Sequence, residues 1–182
     1  MYTRGGPFEV PRAYIRSVSE RAWIRGAQRG SVEDLERLFR EHWPRAFRAA
    51  RLVTGDAAAA EDIAQEAFLA AVRNIDRFDR RKPFAPWLHR IVVNRAIDWT
   101  RARKLRAEVE LGDYLPAPPA SEPDGTALAR IDALAPEHRA VVVLRYVFEY
   151  TPGEIAELLD LPRGTVNSRL RRGLDRMKEA TE

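Results

Sequence analysis

The sequence predicts an all-α fold made of two small helical domains joined by an acidic, proline-rich linker. Apolar residues recur at helical spacing through most of the chain, and almost no stretch alternates with the period of a strand. The helical patterns fall into two groups, at about residues 20–106 and 125–179. Residues 107–126, between them, contain several prolines, five acidic residues and no basic residue.

Composition limits the classes of function. With 182 residues, 45% of them hydrophobic, the chain can bury a core in each of two small domains. No window approaches the roughly 18 apolar residues of a spanning helix, the N-terminus lacks the apolar part of a secretory signal, and the absence of cysteine excludes disulfides and thiolate zinc sites. We therefore expect a cytoplasmic protein without a membrane partner. Arginine carries most of the positive charge, which reflects either genome composition or phosphate and base recognition.

The first domain is predicted at residues 21–106, after an N-terminal extension at residues 1–20. A short helix is expected near residues 14–23. Pro44 should kink or split the helix of residues 32–53. Gly55 suits a left-handed C-cap, and Asp56 can cap the helix that follows.

That following helix has a broad apolar face, and the opposite face carries Asp62, Gln65, Glu66 and Leu69. A leucine exposed among acidic groups is either an ordinary surface residue or part of a protein docking face. The helical pattern alone does not distinguish the two interpretations.

A basic loop with Phe78, Arg80, Arg81 and Lys82 leads into a long helix. Asn94, Asp98 and Arg101 run along one flank of this helix, and its tail adds Arg103, Lys104 and Arg106. Aromatic residues interleaved with basic ones are typical of single-stranded nucleic-acid binding, through base stacking and phosphate neutralisation. Two further aromatics, Trp87 and Trp99, are assigned to the core.

The second domain is predicted at residues 127–182. Residues 141–143 are β-branched, but their helical flanks favour a buried helix. Thr151, Pro152 and Glu154 form a capping box with proline at the first helical position. A tight turn follows, and Thr165 is expected to open the last helix, which makes a helix-turn-helix.

The last helix has two different faces. Val166, Leu170, Gly173, Leu174 and Met177 share one side, whereas Asn167, Ser168, Arg171 and Arg172 point the other way. A run of basic residues is often only a solvated surface. Here the run lies on the second helix of a helix-turn-helix, which favours contact with the DNA major groove.

Enzyme chemistry lacks a supporting pattern. His42, His89 and His138 are scattered without a second ligand at zinc spacing, and no glycine-rich phosphate loop occurs. We therefore predict a non-enzymatic protein without a cofactor.

Several strings in this order resemble the extracytoplasmic-function (group IV) sigma factors, the promoter-recognition subunits of bacterial RNA polymerase. They are "LERLFREHWPRAFRAARLVTGD", "AEDIAQEAFLAA", "FAPWLHRIVVNRAID", "LAPEHRAVVVLRYV" and "YTPGEIAELLDLPRGTVNSRLRRGLDRM". The resemblance covers about residues 21–179. It implies a factor that binds core polymerase, recognises the minus-ten and minus-thirty-five promoter elements and promotes DNA melting.

The resemblance also implies roles for individual residues. Asp62, Gln65, Glu66 and Leu69 would dock on the clamp helices of the β′ subunit, and the second domain on the flap of the β subunit. The minus-ten strand would meet Asn74, Phe78, Arg80, Arg81, Lys82, Asn94, Asp98 and Arg101, and duplex phosphates would meet Arg103, Lys104 and Arg106. The minus-thirty-five element would meet Arg163, Thr165, Asn167, Ser168, Arg171 and Arg172. The acidic linker would thread the polymerase cleft, and an anti-sigma factor is a candidate partner.

Two residues depart from the family pattern. Asp160 stands in the turn where glycine is common, and Asn167 stands where many members have lysine or arginine. Three alternatives remain: a regulator that uses only its helix-turn-helix, a nucleic-acid enzyme, and an adaptor that no longer binds promoters. The regulator leaves residues 56–106 unexplained, and the enzyme needs a metal or nucleophile constellation.

Overall fold

The computed structural model describes residues 12–111 and 127–179 of the chain. In these ranges it contains helices and no strand, which confirms the all-α prediction. The helices are α1 (Arg12–Ala27), α2 (Val32–Thr54), α3 (Ala57–Arg73), α4 (Phe84–Leu111), α5 (Ala127–Asp132), α6 (Pro136–Tyr146), α7 (Pro152–Leu159) and α8 (Arg163–Glu179), with a 3-10 turn at Ile75–Arg77. The predicted linker lies mostly outside the described residues, although α4 continues into its first five positions. No helix in the described ranges is long and apolar enough to cross a bilayer.

Helix α2 is the centre of the first domain and contacts α1, α3 and α4. Its ends are capped as the sequence predicts. Ser31 accepts a hydrogen bond from the amide of Asp34 at the N-terminus, and Gly55 closes the C-terminus in a left-handed conformation with φ 73°. Asp56 then caps α3 by accepting a hydrogen bond from the amide of Ala59. The predicted helix near residues 14–23 is part of α1.

Pro44 does not split the helix, because α2 runs as one helix from Val32 to Thr54. That part of the prediction is wrong. Proline removes one amide donor and leaves the carbonyl four residues earlier, that of Arg40, without its helical partner. Both residues lie on the exposed side of α2, so water can satisfy that carbonyl. The apolar residues on the other side keep the helix in place.

Helix α6 forms the centre of the second domain, and its middle is buried on every side. Ala140, Val141, Val142, Val143 and Leu144 are consecutive, and none is more than 2% exposed. Five consecutive apolar residues point in all directions around a helix, so this part of α6 must be covered all round. On one side α8 packs closely through Gly173, where a Cβ would lie only 2.9 Å from Cγ2 of Val142. The β-branched run of residues 141–143 is therefore a buried helix, as predicted.

Helices α7 and α8 form the predicted helix-turn-helix. Thr151 and Glu154 make the reciprocal capping box. Asp160 ends α7 with φ 56°, so it adopts the left-handed conformation for which glycine is usually chosen. Helix α8 begins at Arg163, two residues before the predicted start, because the carbonyl of Pro162 already accepts hydrogen bonds from the amides of Thr165 and Val166.

The two domains pack against each other, since α6 also contacts α2 and α4. Arg139 is 7% exposed and donates from Nη1 to the carbonyl of Val53, at the C-terminal end of α2. Arg101 of α4 pairs with Glu137 of α6 at 2.6 Å. The chain therefore forms one docked body in which α6 belongs to both cores.

Candidate nucleic-acid and protein interfaces

An apolar groove lies between α2 and α3 on the surface of the first domain. Its volume is about 420 Å³, and its lining consists of Val32, Leu35, Glu36, Phe39, Gln65, Phe68, Leu69 and Val72. Leu69 is 57% exposed and Val32 is 71% exposed, although both are large apolar residues. The rings of Phe39 and Phe68 meet below them at 4.9 Å. Apolar side chains clustered in this way on a surface are typical of a protein docking site.

Of the polar residues predicted beside Leu69, Gln65 lines this groove. Asp62 and Glu66 are exposed on α3 outside its lining, and Glu66 lies 3.7 Å from the guanidinium of Arg95 on α4. The helical pattern of α3 therefore predicted one polar and one apolar member of the groove. It missed Val32, Phe39 and Val72, whose outward apolar positions on α2 and α3 were the available signal.

A second concave site lies on α4 next to the turn that follows α3. It has a volume of about 470 Å³ and is lined by Asn74, Arg77, Trp87, Arg90, Ile91, Asn94 and Arg95. An aromatic and an aliphatic side chain thus lie beside two amides and three guanidinium groups. Amides can donate to and accept from a base edge, and guanidinium groups can bind phosphate. The sequence prediction included Asn74 and Asn94 but missed Arg77, Arg90 and Arg95.

Phe78 does not have the accessible position expected of a base-stacking residue. It is 7% exposed, and its ring centroid lies 4.7 Å from that of Trp87 and 5.7 Å from that of Phe84. The reason is that Phe78 and Phe84 flank the basic loop and close over the apolar start of α4. Its ring therefore supports the loop from below, and the exposed members of the loop are Arg80, Arg81 and Lys82.

The basic loop is held mainly by local bonds at its tip. Arg81 donates to the carboxylate of Asp79 from both its backbone amide and its guanidinium. This hydrogen bond lowers the pKa of Asp79 and raises that of Arg81. Lys82 donates its amide to the carbonyl of Asp79 at 2.9 Å. The tip is thus a tight turn that presents three basic side chains.

The flank of α4 that carries Asn94, Asp98 and Arg101 is exposed over its whole length. On this flank, the guanidinium group of Arg101 points to the second domain and pairs with Glu137. Further along, Arg103 pairs with Asp56 at 3.3 Å and stacks over the ring of Trp99 at 5.2 Å. Lys104 and Arg106 are exposed. Both Trp87 and Trp99 pack against the core as expected.

Helix α8 presents the predicted polar face to solvent. Asn167, Arg171 and Arg172 are exposed, as is Arg163 at the start of the helix. Thr165 and Ser168 are half-buried, and the hydroxyl of Ser168 donates to the carbonyl of Thr165. Val166 and Leu170 are buried on the opposite face. This arrangement leaves a rigid basic face at the N-terminal half of the second helix of a helix-turn-helix.

The histidines do not form a metal site, although His42 and His89 lie close enough to interact. Among the described residues there is no group of histidine, aspartate and glutamate that could hold a metal ion. His89 is 1% exposed and lies between the two domains, where burial, Arg45 and His42 lower its pKa to about 3. It is a neutral, structural side chain at neutral pH.

Two family models match the chain, one in each domain. A model of sigma-70 region 2 matches residues 38–106, and a model of sigma-70 region 4 matches residues 126–177. The extracytoplasmic-function RNA polymerase sigma factor SigW of Bacillus subtilis (strain 168) is 35% identical over an alignment of 143 positions that covers 69% of this chain and 76% of SigW. SigL of Mycobacterium tuberculosis (strain ATCC 25618 / H37Rv) is 36% identical over an alignment of 158 positions that covers 82% of this chain and 89% of SigL.

Solved structures have the same fold. CnrH, in complex with the cytosolic domain of CnrY, superposes with a TM-score of 0.66 at 25% identity, covering 88% of this chain and 96% of CnrH. The sigma factor RpoE, in complex with the anti-sigma factor NepR from Bartonella quintana, superposes with a TM-score of 0.65 at 20% identity, covering 82% of this chain and 97% of RpoE. The latter likeness supports the fold alone.

Proposed function

The chain belongs to the extracytoplasmic-function sigma factors of bacterial RNA polymerase, and from this premise we propose how its residues recognise a promoter. It is an alternative sigma factor, a non-enzymatic initiation factor that binds RNA polymerase and recognises promoters. We infer that it acts in the cytoplasm, with transcribing polymerase. One observation supports the assignment of sites: the chain has two basic surfaces that can contact DNA, the concave site on α4 and the exposed face of α8.

The minus-ten strand is proposed to bind on α4 and the basic loop. A flipped base would enter the concavity beside Trp87, where the amides of Asn74 and Asn94 can meet its edge. Arg80, Arg81 and Lys82 on the loop, and Arg77 and Arg90 at the concavity, would neutralise neighbouring phosphates. Unpairing a base costs a few kcal/mol, and contacts on the extruded base offset this cost. Asp98 and Arg101 would lie at the edge of the melted region, with Arg103, Lys104 and Arg106 on duplex phosphates.

The minus-thirty-five element is proposed to bind α8. Asn167, Arg171 and Arg172 would face base edges in the major groove, while Arg163, Thr165 and Ser168 would contact the backbone near the start of the helix. The exposed, unpaired guanidinium groups of Arg171 and Arg172 support this division, because within the described residues neither forms an ion pair. Asn167 can donate and accept, which suits an adenine edge.

The groove between α2 and α3 is proposed to dock the clamp helices of the polymerase β′ subunit. An amphipathic helix can lay an apolar stripe into it, and Gln65 lines it beside Leu69. Asp62 and Glu66 are exposed on the same helix and would extend the contact. The second domain is proposed to bind the β flap, and the acidic linker to enter the polymerase cleft. An anti-sigma factor is a further proposed partner, because the family to which the chain belongs often has one.

The docked arrangement of the two domains cannot read both promoter elements together. Elements centred near minus ten and minus thirty-five are about 25 base pairs apart, or roughly 85 Å along a duplex at about 3.4 Å per base pair. Both α4 and α8 pack against α6, whose 11 residues extend only about 16 Å. We therefore propose that the domains separate during promoter recognition, while residues 112–126, which follow the end of α4 and can reach roughly 50 Å when extended, keep them connected.

Separation also frees a residue of the proposed minus-ten surface. In the docked chain Arg101 is paired with Glu137, so it cannot bind a phosphate at the same time. The pair is partly exposed, and such pairs contribute little stability, about 0–1 kcal/mol. Polymerase and promoter binding can therefore replace it at low cost.

Transcription from a defined promoter tests the proposed function. Purified protein is mixed with core polymerase and with genomic fragments, and transcript ends are mapped. We expect initiation at a specific set of promoters and binding of melted template. Core binding without promoter-specific initiation from any fragment would contradict the proposal and favour the adaptor.

Fluorescence transfer tests the separation. Because the chain contains no cysteine, dyes can be attached at Glu61→Cys on α3 and Arg176→Cys on α8, two exposed positions. Transfer should be high in the free protein and fall on addition of core polymerase and promoter. Phe148→Ala, which removes a ring packed 4.6 Å from that of His89, should lower transfer in the free protein. Unchanged transfer in a transcribing complex would contradict domain separation.

A further inference from the structure

Helix α1 and the turn after it contact the basic loop although they precede the region 2 match. The side-chain amide of Gln28 donates from Nε2 to two backbone carbonyls, those of Ile75 and Phe78, each at 2.9 Å. These carbonyls belong to the first residue of the 3-10 turn and to the residue that follows it, and both lie within the loop of residues 74–83. One amide group therefore holds together two points of that loop across almost fifty residues of sequence.

Gln28 is itself held in a defined position. Its backbone amide donates to the carbonyl of Ile24, and the amide of Ser31 donates to the carbonyl of Gly26. Gly30 takes φ 86° in this turn, a left-handed conformation that glycine adopts without strain. The turn joins α1 to α2, which is the central helix of the domain. The side chain of Gln28 thus reaches the loop from a rigid support.

The other end of the loop is supported from the same helix. Glu20 of α1 accepts a hydrogen bond at Oε1 from the backbone amide of Phe84, the first residue of α4. A carboxylate at a helix N-terminus satisfies a free amide and interacts favourably with the helix dipole. Side chains of α1 and its following turn therefore fix both ends of the loop, and only the tip from Asp79 to Pro83 relies on local bonds.

This arrangement has a consequence for recognition. The concavity on α4 includes Asn74 and Arg77, which lie immediately next to the carbonyl contacts of Gln28. A site discriminates among bases only when its donors and acceptors are held in place before the base arrives. Without Gln28 the two carbonyls would bond to water, and the turn could adopt other conformations at little cost. Overall packing would remain, because Ile75, Phe78 and Phe84 are buried in the core.

We propose that Gln28 is a positioning residue for minus-ten recognition: it fixes the conformation of the loop of residues 74–83 and thereby its discrimination among bases. The proposal rests on the proposed function of that loop. It assigns to α1 and its following turn a role in promoter choice, although neither contributes a side chain to the concavity itself.

Gln28→Met tests the proposal, since methionine keeps the length and volume of glutamine and removes both hydrogen bonds. Holoenzyme is made with each variant, and the probe is a single-stranded oligonucleotide that wild-type holoenzyme selects from a random pool. Affinity is measured for this oligonucleotide and for a panel with single-base substitutions. We expect the ratio of the affinity for the selected oligonucleotide to the affinity for the substituted ones to fall about fivefold to tenfold, which is the scale of two lost hydrogen bonds. Core affinity should not change.

Two controls separate positioning from general damage. Arg29→Met introduces the same side chain at the neighbouring exposed position and should leave the ratio unchanged. Gln28→Glu places a carboxylate against two carbonyl oxygens and should reduce the ratio more than Gln28→Met. If Gln28→Met lowers the affinity for all oligonucleotides equally, Gln28 has a merely structural role, and the proposal is overturned.

Loop variants distinguish failure of this proposal from failure of the proposed function. If Asn74→Ala and Lys82→Ala change the ratio or the affinity while Gln28→Met changes neither, the loop binds the strand and Gln28 does not position it. If no loop variant affects binding, the proposed function of the loop fails, and the role of Gln28 fails with it.

Discussion

The Nδ1 atom of His89 lies 2.9 Å from the hydroxyl oxygen of Tyr150. This contact joins α4 of the first domain to the segment between α6 and α7 of the second. The ring of Phe148 packs on the same imidazole, and the guanidinium of Arg45 lies 5.7 Å from the centroid of that phenyl ring. The domain interface is therefore a specific arrangement of aromatic and basic side chains, and it shares Arg101 with the surface proposed for DNA.

The pH dependence of stability should report on His89. Burial holds its pKa at about 3, against an ordinary value of 6.5. The folded chain therefore excludes a proton that the unfolded chain binds. The contribution of neutral His89 to the free energy of unfolding is complete above pH 6.5 and is lost as the pH falls toward 3. At about 1.4 kcal/mol per pH unit, the free energy of unfolding should drop by about 2 kcal/mol between pH 7.5 and pH 5.

Guanidinium chloride unfolding at these two pH values measures the drop. His89→Gln is the control, because glutamine does not titrate and should flatten the dependence. His138, whose pKa is also lowered by burial, remains in both proteins. Identical drops in wild type and His89→Gln would contradict the assignment.

Leu69→Glu should weaken binding to core polymerase by about tenfold or more, the effect of losing a well-placed apolar contact at an interface. Folding should be preserved, because Leu69 is 57% exposed. Leu105→Glu is a matched control, since Leu105 is 62% exposed on α4 and lies outside the groove. Affinity for core is measured by fluorescence anisotropy of the labelled sigma factor. Equal effects of the two substitutions would remove Leu69 from the proposed docking surface.

Arg171→Ala should reduce discrimination at the minus-thirty-five element by about 1–3 kcal/mol if the guanidinium binds a guanine edge through two hydrogen bonds. Competition between the selected duplex and single-base variants measures this quantity with holoenzyme. Arg176→Ala, at the far end of α8 where the arginine pairs with Glu179, should leave discrimination unchanged. Uniform weakening on every sequence would assign Arg171 to a phosphate instead.

Gly173→Ala should destabilise the protein although alanine favours helices. The new Cβ would lie 2.9 Å from Cγ2 of Val142 and 3.6 Å from Cβ of His138. Valine cannot turn away freely, so we expect a loss of about 1–3 kcal/mol from overpacking. Gly164→Ala, on the same helix with no atom within 4 Å of the new Cβ, should have no such cost. Thermal unfolding measures the stability of each variant. Val142→Ala should restore stability to the Gly173→Ala protein, because it removes the methyl group that the new Cβ would contact. A Gly173→Ala protein as stable as wild type would contradict the prediction and show that α6 and α8 can separate slightly.

Features that depend on neighbouring residues in the sequence could be predicted closely. The caps at Asp56 and Thr151 use side chains within three residues of the amides that they satisfy, so the local sequence contains all the information. The apolar face of α8 follows from helical periodicity in the same way. The end of α7 at Asp160 was also placed correctly, although the residue that takes the left-handed conformation there is not glycine.

Features that depend on distant contacts were missed or misjudged. Phe78 has the sequence context of an exposed stacking residue, but Phe84 and Trp87 bury its ring once the chain folds. Gln28 looks like an ordinary polar surface residue until the turn at Ile75 lies beside it. The docking of the domains depends on which side of α6 faces α2, and the run of five apolar residues at 140–144 contains no directional signal for that.

Because α6 packs against α2 and α4 as well as against α8, the covalent tether is not what holds the free protein together. A chain cut between residues 111 and 127 should give two fragments that remain associated through α6 and purify as a single complex. Its two parts would melt together in one transition while they are associated, because α2 and α4 cover part of α6. The same sigma factor would thus behave as one folding unit off the polymerase and as two independent ones on the promoter.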